Sequence, residues 1–390
     1  MQFTINSEAM KTMNSEIMVE AFFRYVKDVS KNKTPVTMSL IRRDGCWEAE
    51  LFECSTPASS FGPIMLSAEK DNTAVGDTVY VSLTTKTLAV LQDGTTYNLD
   101  GTCMVIKSGA LKVKEAYDTT SEEAEAHLKD FRELLSSIPG DIDYTIDKSM
   151  DIYRFLQVVG SSQTASIYLE NGKMTLRDDT FFFRTALPSY TKDEAIFVNM
   201  YIANKILGML EYCNRVELKV SNTFRIEGFI DGVDDPVATN VSTVFDPEEE
   251  NPTDEDLVSI TPVPAESEVA SIALAELCAT FDNVKDKIRN FIETKDYECH
   301  LFKNGKGISF LLEAGGDSLA STKMVLNVGE VENEEPAEQD FTVARVVLPL
   351  KHIQSIVGGN AVVDFVFDNQ EDTAVSIQTP DYLMLTGKIY

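Results

Sequence analysis

Three two-residue turn signals recur along this chain at nearly equal spacing, each flanked by strand-forming residues. That repetition restricts the possible folds more than any single motif does. The segments are SLIRRDGCWEAEL from Ser39, SIYLENGKMTLRD from Ser166 and CHLFKNGKGISFL from Cys299. Asp-Gly and Asn-Gly suit the two left-handed positions of a type I′ turn, so each segment reads as a β-hairpin. The glycines stand at 45, 172 and 305, at intervals of 127 and 133. Upstream of each hairpin runs one apolar face at helical spacing: Val19, Phe22, Phe23, Val26; then Ile152, Phe155, Leu156, Val159; then Leu274, Leu277, Cys278, Phe281.

Downstream of each hairpin comes a strand entry, a short helix and more strands. The entries are TVYVSLTTKTLAVL from Thr78, AIFVNMYIANKILGML from Ala195 and RVVLPLKHIQSIV from Arg345. Taking Leu83, Met200 and Leu350 as equivalent gives spacings of 117 and 150, so the last interval holds an insertion. Residues 231–266 supply it: eleven Asp or Glu, no Lys or Arg and five prolines, a stretch too polar for a core and read as a linker or long loop. Three α+β domains are expected, at 1–137, 138–245 and 246–390. A unit of this length exceeds any solenoid repeat, so each copy is expected to have its own core. Exposed sheet edges are safest when paired with the next copy, and copies joined in this way can close into a ring.

The rest of the sequence narrows the function by exclusion. At 390 residues the chain exceeds what one core usually serves, and a formal charge of −29 makes its surface as a whole repel phosphate and anionic lipid. Any nucleic-acid contact must be a local basic stripe. The six cysteines are scattered and read as reduced, buried thiols, with no metal-ligand spacing near the three histidines. The start MQFTINSEAM lacks the pattern of a signal peptide and no apolar run is long enough for a membrane span, so an intracellular, cytoplasmic protein is expected. No G-x-S-x-G, H-E-x-x-H or P-loop spacing occurs, and Asn304-Gly-Lys-Gly307 reads as a turn. No enzyme activity, cofactor or metal is expected.

With these elements in order, the chain resembles the bacterial sliding clamps, DNA polymerase processivity factors with three pseudo-repeated domains per subunit. The stretches that carry the resemblance are MQFTI at the start, YTIDKSMDIYRFLQVV from Tyr144, SIYLENGKMTLRDDTFFFRTAL from Ser166, and the carboxyl end from Val346. Arg177–Arg184 departs from the family's Thr-Asp-Gly-His-Arg-Leu-like run, and the acidic insertion is atypical of cellular clamps, which suits a divergent, phage-encoded member. The resemblance implies outer antiparallel sheets, inner helices and a homodimeric ring around duplex DNA. It also implies docking of polymerase and clamp loader through short hydrophobic peptides. A repeated-domain structural protein such as a virion component is the alternative.

For residues, the resemblance implies sequence-independent phosphate contacts from the inner helices. The candidates are Lys11, Arg24, Lys27, Lys31, Lys86, Lys148, Arg154, Lys205 and Lys351, each of which has an equal alternative as an ordinary solvent-facing cation. It also implies a partner-peptide pocket beside the carboxyl end at Phe183, Asn199, Ala203, Leu383 and Leu385. Phe183, Leu383 and Leu385 have an alternative as core strand residues.

Overall fold

The computed structural model describes residues 2–5, 15–31, 36–43, 46–53, 58–66, 77–89, 91, 95–100, 103–118, 122–137, 144–162, 164–178, 181–193, 195–220, 223–243, 254–260, 268–273, 275, 279, 297–304, 307–314, 317–322, 343–346, 362–367, 375–378 and 382–386. The chain forms two compact units, Met1–Tyr153 with Ile202–Phe245, and Arg154–Tyr201 with Asp246–Tyr390.

The first repeat runs β1 (Gln2–Ile5), α1 (Ser15–Lys31), β2 (Val36–Arg43), β3 (Cys46–Glu53), β4 (Ala58–Leu66), β5 (Thr78–Leu83), α2 (Thr85–Leu88), β6 (Thr95–Asp100), β7 (Cys103–Ser108) and β8 (Leu111–Asp118). After the connecting α3 (Glu122–Ser137) come β9 (Tyr144–Asp147), α4 (Asp151–Ser161), β10 (Ser166–Glu170), β11 (Lys173–Asp178), β12 (Phe181–Ala186), β13 (Ile196–Val198), α5 (Met200–Leu210), β14 (Arg215–Val220), β15 (Thr223–Phe229) and β16 (Ala238–Thr243). Then follow α6 (Asp254–Ile260), β17 (Glu268–Ala273), β18 (Tyr297–Asn304), β19 (Gly307–Ala314), β20 (Asp317–Thr322), β21 (Val343–Val346), β22 (Val362–Phe367), β23 (Val375–Gln378) and β24 (Tyr382–Thr386).

Two strand orders each occur three times. Hairpin-centred sets run β5-β2-β3-β4, β13-β10-β11-β12 and β21-β18-β19-β20; the others run β1-β6-β7-β8, β9-β14-β15-β16 and β17-β22-β23-β24. Among the described residues every pairing is antiparallel, and two seams join the sets. Strand β4 pairs with β16 from Ala58↔Val241 to Phe61↔Ala238, and β12 pairs with β24 from Phe181↔Thr386 to Thr185↔Tyr382. Each seam therefore joins the last strand of one hairpin set to the last strand of the other set in the following repeat. Within the first repeat, β5 also touches β8 through Tyr80 and Val81.

The local chemistry explains the elements. The Asn171-Gly172 turn joins Glu170 to Lys173, with Gly172 at φ +74°, where a Cβ is unfavourable. The first hairpin likewise leaves two residues between Arg43 and Cys46, whereas the third leaves residues 305 and 306 between Asn304 and Gly307, one position later than the Asn-Gly signal places it. Helix α1 buries Val19, Phe22 and Val26 with Phe23 half-covered, and α4 buries Ile152, Phe155, Leu156 and Val159, as the periodicity requires. The third stripe, 274–281, lies outside the described residues apart from positions 275 and 279. Residues 231–266 are not one long loop: they contain β16 and α6. Ala238–Thr243 carries no charge and alternates small and β-branched residues, so it adds a strand despite its acidic surroundings.

In the first unit, two contacts tie the sheet across its β4–β16 seam. On one face, Phe22 and Tyr25 of α1 lie 5.8 and 5.3 Å from the Phe61 ring of β4, and Tyr212, just after α5, lies 5.9 Å from Tyr25. Asp28 of α1 packs toward α5, its carboxylate 3.5 Å from where a Cβ on Gly208 would stand. The other contact is made by α3, which packs Leu128 on Phe52 and Tyr80, and Phe131 on Val241. Arg132 of α3 pairs with the nearly buried Glu50 of β3 at 2.7 Å, and Arg225 of β15 donates to the Leu135 carbonyl at 2.8 Å.

The buried carboxyls at these contacts make stability depend on pH in the same sense, since burial raises both. Burial raises the Glu50 carboxyl above its usual range and Arg132 opposes that rise. Arg132→Ala leaves the carboxylate without this partner and should cost about 1–3 kcal/mol at neutral pH in denaturant titration, with the loss shrinking as Glu50 protonates. Burial also raises the Asp28 carboxyl, Lys205 and Lys31 lower it, and Glu53 and Glu211 push it up again. Because its folded pKa lies above the unfolded one, ionised Asp28 subtracts stability at neutral pH, and acidification through the folded pKa relieves the deficit. Asp28→Asn should raise Tm at pH 7, and the gain should vanish below the unfolded carboxylate value of ~3.9.

Candidate functional site

The basic candidates lie on or beside the helices. Arg24, Lys27 and Lys31 are exposed on α1, Lys86 is exposed on α2, Arg154 is exposed on α4, and Lys205 is half-buried on α5. Lys148 is exposed in the turn before α4. Lys11 and Lys351 lie outside the described residues. Helices α1, α2, α4 and α5 together carry six basic and four acidic side chains, a small positive excess on a chain of net −29. Acidic neighbours occupy part of it. Arg24 pairs with Glu20 one helical turn back and donates to the Glu211 carbonyl, and Lys148 lies 3.9 Å from the Glu211 carboxylate. Lys27 lines a groove of about 620 Å³ between α1 and α2, whose apolar floor includes Val19, Phe23 and Leu88. Such a surface can meet phosphate without reading bases.

The residues expected at the peptide pocket are not brought together as a set. Phe183 is fully buried with its ring 5.5 Å from Phe155 of α4, and Ala203 of α5 is also fully buried, so neither has surface to offer a peptide. Asn199 and Leu383 are half-buried. The seam register pairs Arg184 with Leu383, Phe183 with Met384 and Phe182 with Leu385. Successive strand residues alternate faces, so positions 182, 184, 383 and 385 share one face and position 183 belongs to the other. The residues grouped from sequence therefore fall on both faces of the seam, and the unbroken run Phe181-Phe-Phe183 gives no signal that separates them.

That face carries a charge cluster the sequence does not reveal. Thr175 of β11 stands opposite Arg184, and Lys173 stands opposite Ala186. The Arg184 guanidinium donates from Nε to Thr175 Oγ1 at 3.2 Å and lies 5.5 Å from the Phe182 ring centre. Asp254, the first residue of α6, bridges both cations: its Oδ2 is 2.9 Å from Lys173 Nζ and its Oδ1 is 2.6 Å from Arg184 Nη1. The Lys173 hydrogen bond and the two positive charges hold the Asp254 carboxyl below the usual carboxylate range.

Other chemistry is sparse among the described residues. No cluster of His, Cys, Asp and Glu there could hold a metal ion. Burial pushes the Cys213 thiol up to about 12, so it stays protonated and unreactive. No helix among them is long and apolar enough to cross a membrane.

No family model and no curated protein matches the sequence. Solved structures do. The Caulobacter crescentus pol III beta structure aligns over 100% of both chains with a TM-score of 0.61 at 12% identity. The DNA polymerase III subunit beta of Pseudomonas aeruginosa aligns over 100% of both at 0.56 and 10%, and the beta subunit of Thermotoga maritima covers 100% of this chain and 99% of its own at 0.56 and 11%. A further Caulobacter crescentus beta sliding clamp structure, with PEG bound to a putative beta-motif tethering region, aligns over 100% of this chain and 99% of its own at 0.59 and 12%. Full-length agreement of this kind, with strand orders repeated three times, establishes that the chain has the sliding-clamp fold.

Proposed function

We propose that this protein is a DNA sliding clamp, a non-enzymatic processivity factor that closes as a ring around duplex DNA and tethers polymerase and other replication or repair proteins. The observation that carries this reading is the seam rule. The last strand of each hairpin set pairs with the last strand of the other set in the next repeat, at β4–β16 and β12–β24. Applied once more, the rule matches β20 with β8. Strand β20 ends its sheet, and residues Leu111–Ala116 of β8 pair only with β7 among the described residues. An open edge of this kind, with Leu111 57% exposed, is a template for another chain. Two chains joined reciprocally through β20 and β8 would make a closed ring of six domains, each chain contributing 1–137, 138–245 and 246–390.

Function would then be topological. A ring that cannot fall off needs little affinity, which suits a nearly balanced set of helices on a strongly acidic chain. Polymerase and a clamp loader would dock as short hydrophobic peptides, with ATP for loading supplied by the loader. Nothing in this role requires a cofactor, and its compartment would be the cytoplasm, of a host cell for a phage-encoded protein.

The decisive measurement is sedimentation mass together with negative-stain imaging. A dimer of twice the 43.3 kDa chain mass with a central hole is expected; a compact monomer without a hole, at concentrations up to tens of micromolar, overturns the proposal. Val113→Asp on the open edge of β8 should shift the dimer toward monomer without lowering Tm by more than a few degrees. Lys27→Glu with Lys31→Glu should weaken duplex binding equally for unrelated sequences and reduce the salt slope by about 0.9 for each phosphate no longer neutralised. Assembled rings should stay on circular DNA and slide from linear ends; equal retention on both would favour a structural protein.

A further inference from the structure

Three exposed lysines stand together on one face of the β7–β8 hairpin. The register sets Lys107 directly opposite Lys112 and Val105 opposite Lys114, and by strand alternation the three lysines share that face. Like charges directly opposite each other on neighbouring strands repel, so the Lys107–Lys112 pair costs the hairpin stability unless an anion sits over it. None of the three makes an ion pair among the described residues. Glu115, next to Lys114 in sequence, lies on the other face and is taken up by Thr84 and Thr87. Asp100 and Asp118 share the lysines' face by register but stand at the opposite end of the strands, at or beyond the Cys103↔Ala116 rung.

The seams inside the chain are built without such charge. Strands β16 (ATNVST) and β24 (YLMLT), which receive β4 and β12, carry no charged residue, whereas β8, which receives β20 of another copy under the seam rule, carries Lys112 and Lys114. The connections that leave the hairpin sets differ at the same place. Residues 67–77 and 187–195 follow β4 and β12, each with a lysine among its carboxylates; residues 323–342 follow β20, and 330–340 hold six Asp or Glu with no Lys or Arg. Both seams set the start of the hairpin-set strand near the end of its partner, as Ala58↔Val241 and Phe181↔Thr386 show. Pairing β20 with β8 in that manner brings Thr322 to the Leu111 end of β8, next to Lys112. Glu330 follows Thr322 by eight residues. That tether spans at most roughly 26–29 Å, while Lys112 and Lys114 are about 7 Å apart along the strand, so the run begins within reach of the whole patch.

We infer that the lysine face of β7 and β8 docks the carboxylate run 330–340 of a second copy of this chain. The inference rests on the ring reading for the edge pairing that brings the two together, and adds a contact that strand pairing alone does not require. Two chains of net −29 repel one another at long range, and a local match of lysines with carboxylates at each seam offsets that repulsion where the chains join. The lysines are exposed, so salt screens the contact.

The test measures the dimer Kd of the full chain by sedimentation at low and high salt. Four proteins are compared: the wild type, a patch variant (Lys107→Gln, Lys112→Gln and Lys114→Gln), a run variant with every Glu and Asp of 330–340 replaced by Gln or Asn, and a chain carrying both sets. The run variant is decisive in sign. Long-range repulsion alone predicts that removing negative charge tightens the dimer, whereas docking predicts at least tenfold weakening at low salt. The patch variant should weaken it similarly, the combined variant no more than either alone, and the differences should fall below about threefold at high salt. Tm checks the fold of each protein, and relief of the Lys107–Lys112 repulsion should leave the patch variant no less stable than the wild type. A run variant that dimerises as tightly as the wild type, or losses that simply add, overturns the docking. A fluorescein-labelled peptide of residues 328–342 gives a readout independent of dimerisation: its anisotropy should rise saturably at low salt with the run variant and not with the combined variant. A dimer with a hole that fails both readouts defeats the docking alone; a monomer without a hole that still takes the peptide through these lysines defeats the ring reading alone.

Discussion

Everything in this architecture depends on where unpaired strand edges go. A β-sheet cannot end comfortably in water with a row of open N–H and C=O groups, and this chain resolves that problem at β4 and β12 by passing each of these edges to the next repeat. The β4–β16 pairing joins strands of the first and second repeats into one twelve-stranded sheet, and β12–β24 joins strands of the second and third into one of eight. Helices are secondary to this arrangement: α1 and α4 are positioned by the strands whose apolar face they cover, as Phe22 over Phe61 and Phe155 against Phe183 illustrate.

The repeat is legible in the sequence because it is written in backbone chemistry. Asp44-Gly45 and Asn171-Gly172 demand a tight turn wherever they occur, and a helical apolar stripe can be found without knowing what it covers. The grouping of residues expected for a partner peptide is not legible in the same way. Resemblance groups Phe183 with Leu383 and Leu385, although the β12–β24 register places it on the opposite face. In a structure of period two, one residue changes the face on which a side chain lies, although Phe182 and Phe183 are both buried here. The run Phe181-Phe182-Phe183 offers no polar residue to break the tie. Strand β16 is hidden because acidic flanks dominate the composition of its surroundings, and the role of Asp254 is invisible because its partners are 70 and 81 residues away.

The charge distribution is uneven for a related reason. Carboxylates dominate the chain, yet helices α1, α2, α4 and α5 come out slightly basic, and one acid among them, Glu20, tempers a single cation, Arg24. Asp28 is the exception. It faces Lys205 and Lys31 but also Glu53 and Glu211, and burial decides the balance against its charge.

Helix α3 has an effect beyond connecting two repeats. It grips β3 through Arg132 and Leu128 and grips β15 and β16 through the Leu135 carbonyl and Phe131, so it lies as a splint across the joint it follows in sequence. A joint splinted in this way transmits torque instead of absorbing it. Bending forced on either end of the twelve-stranded sheet is carried through the joint as through a stiff beam, and compliance must be found at some other place in the molecule.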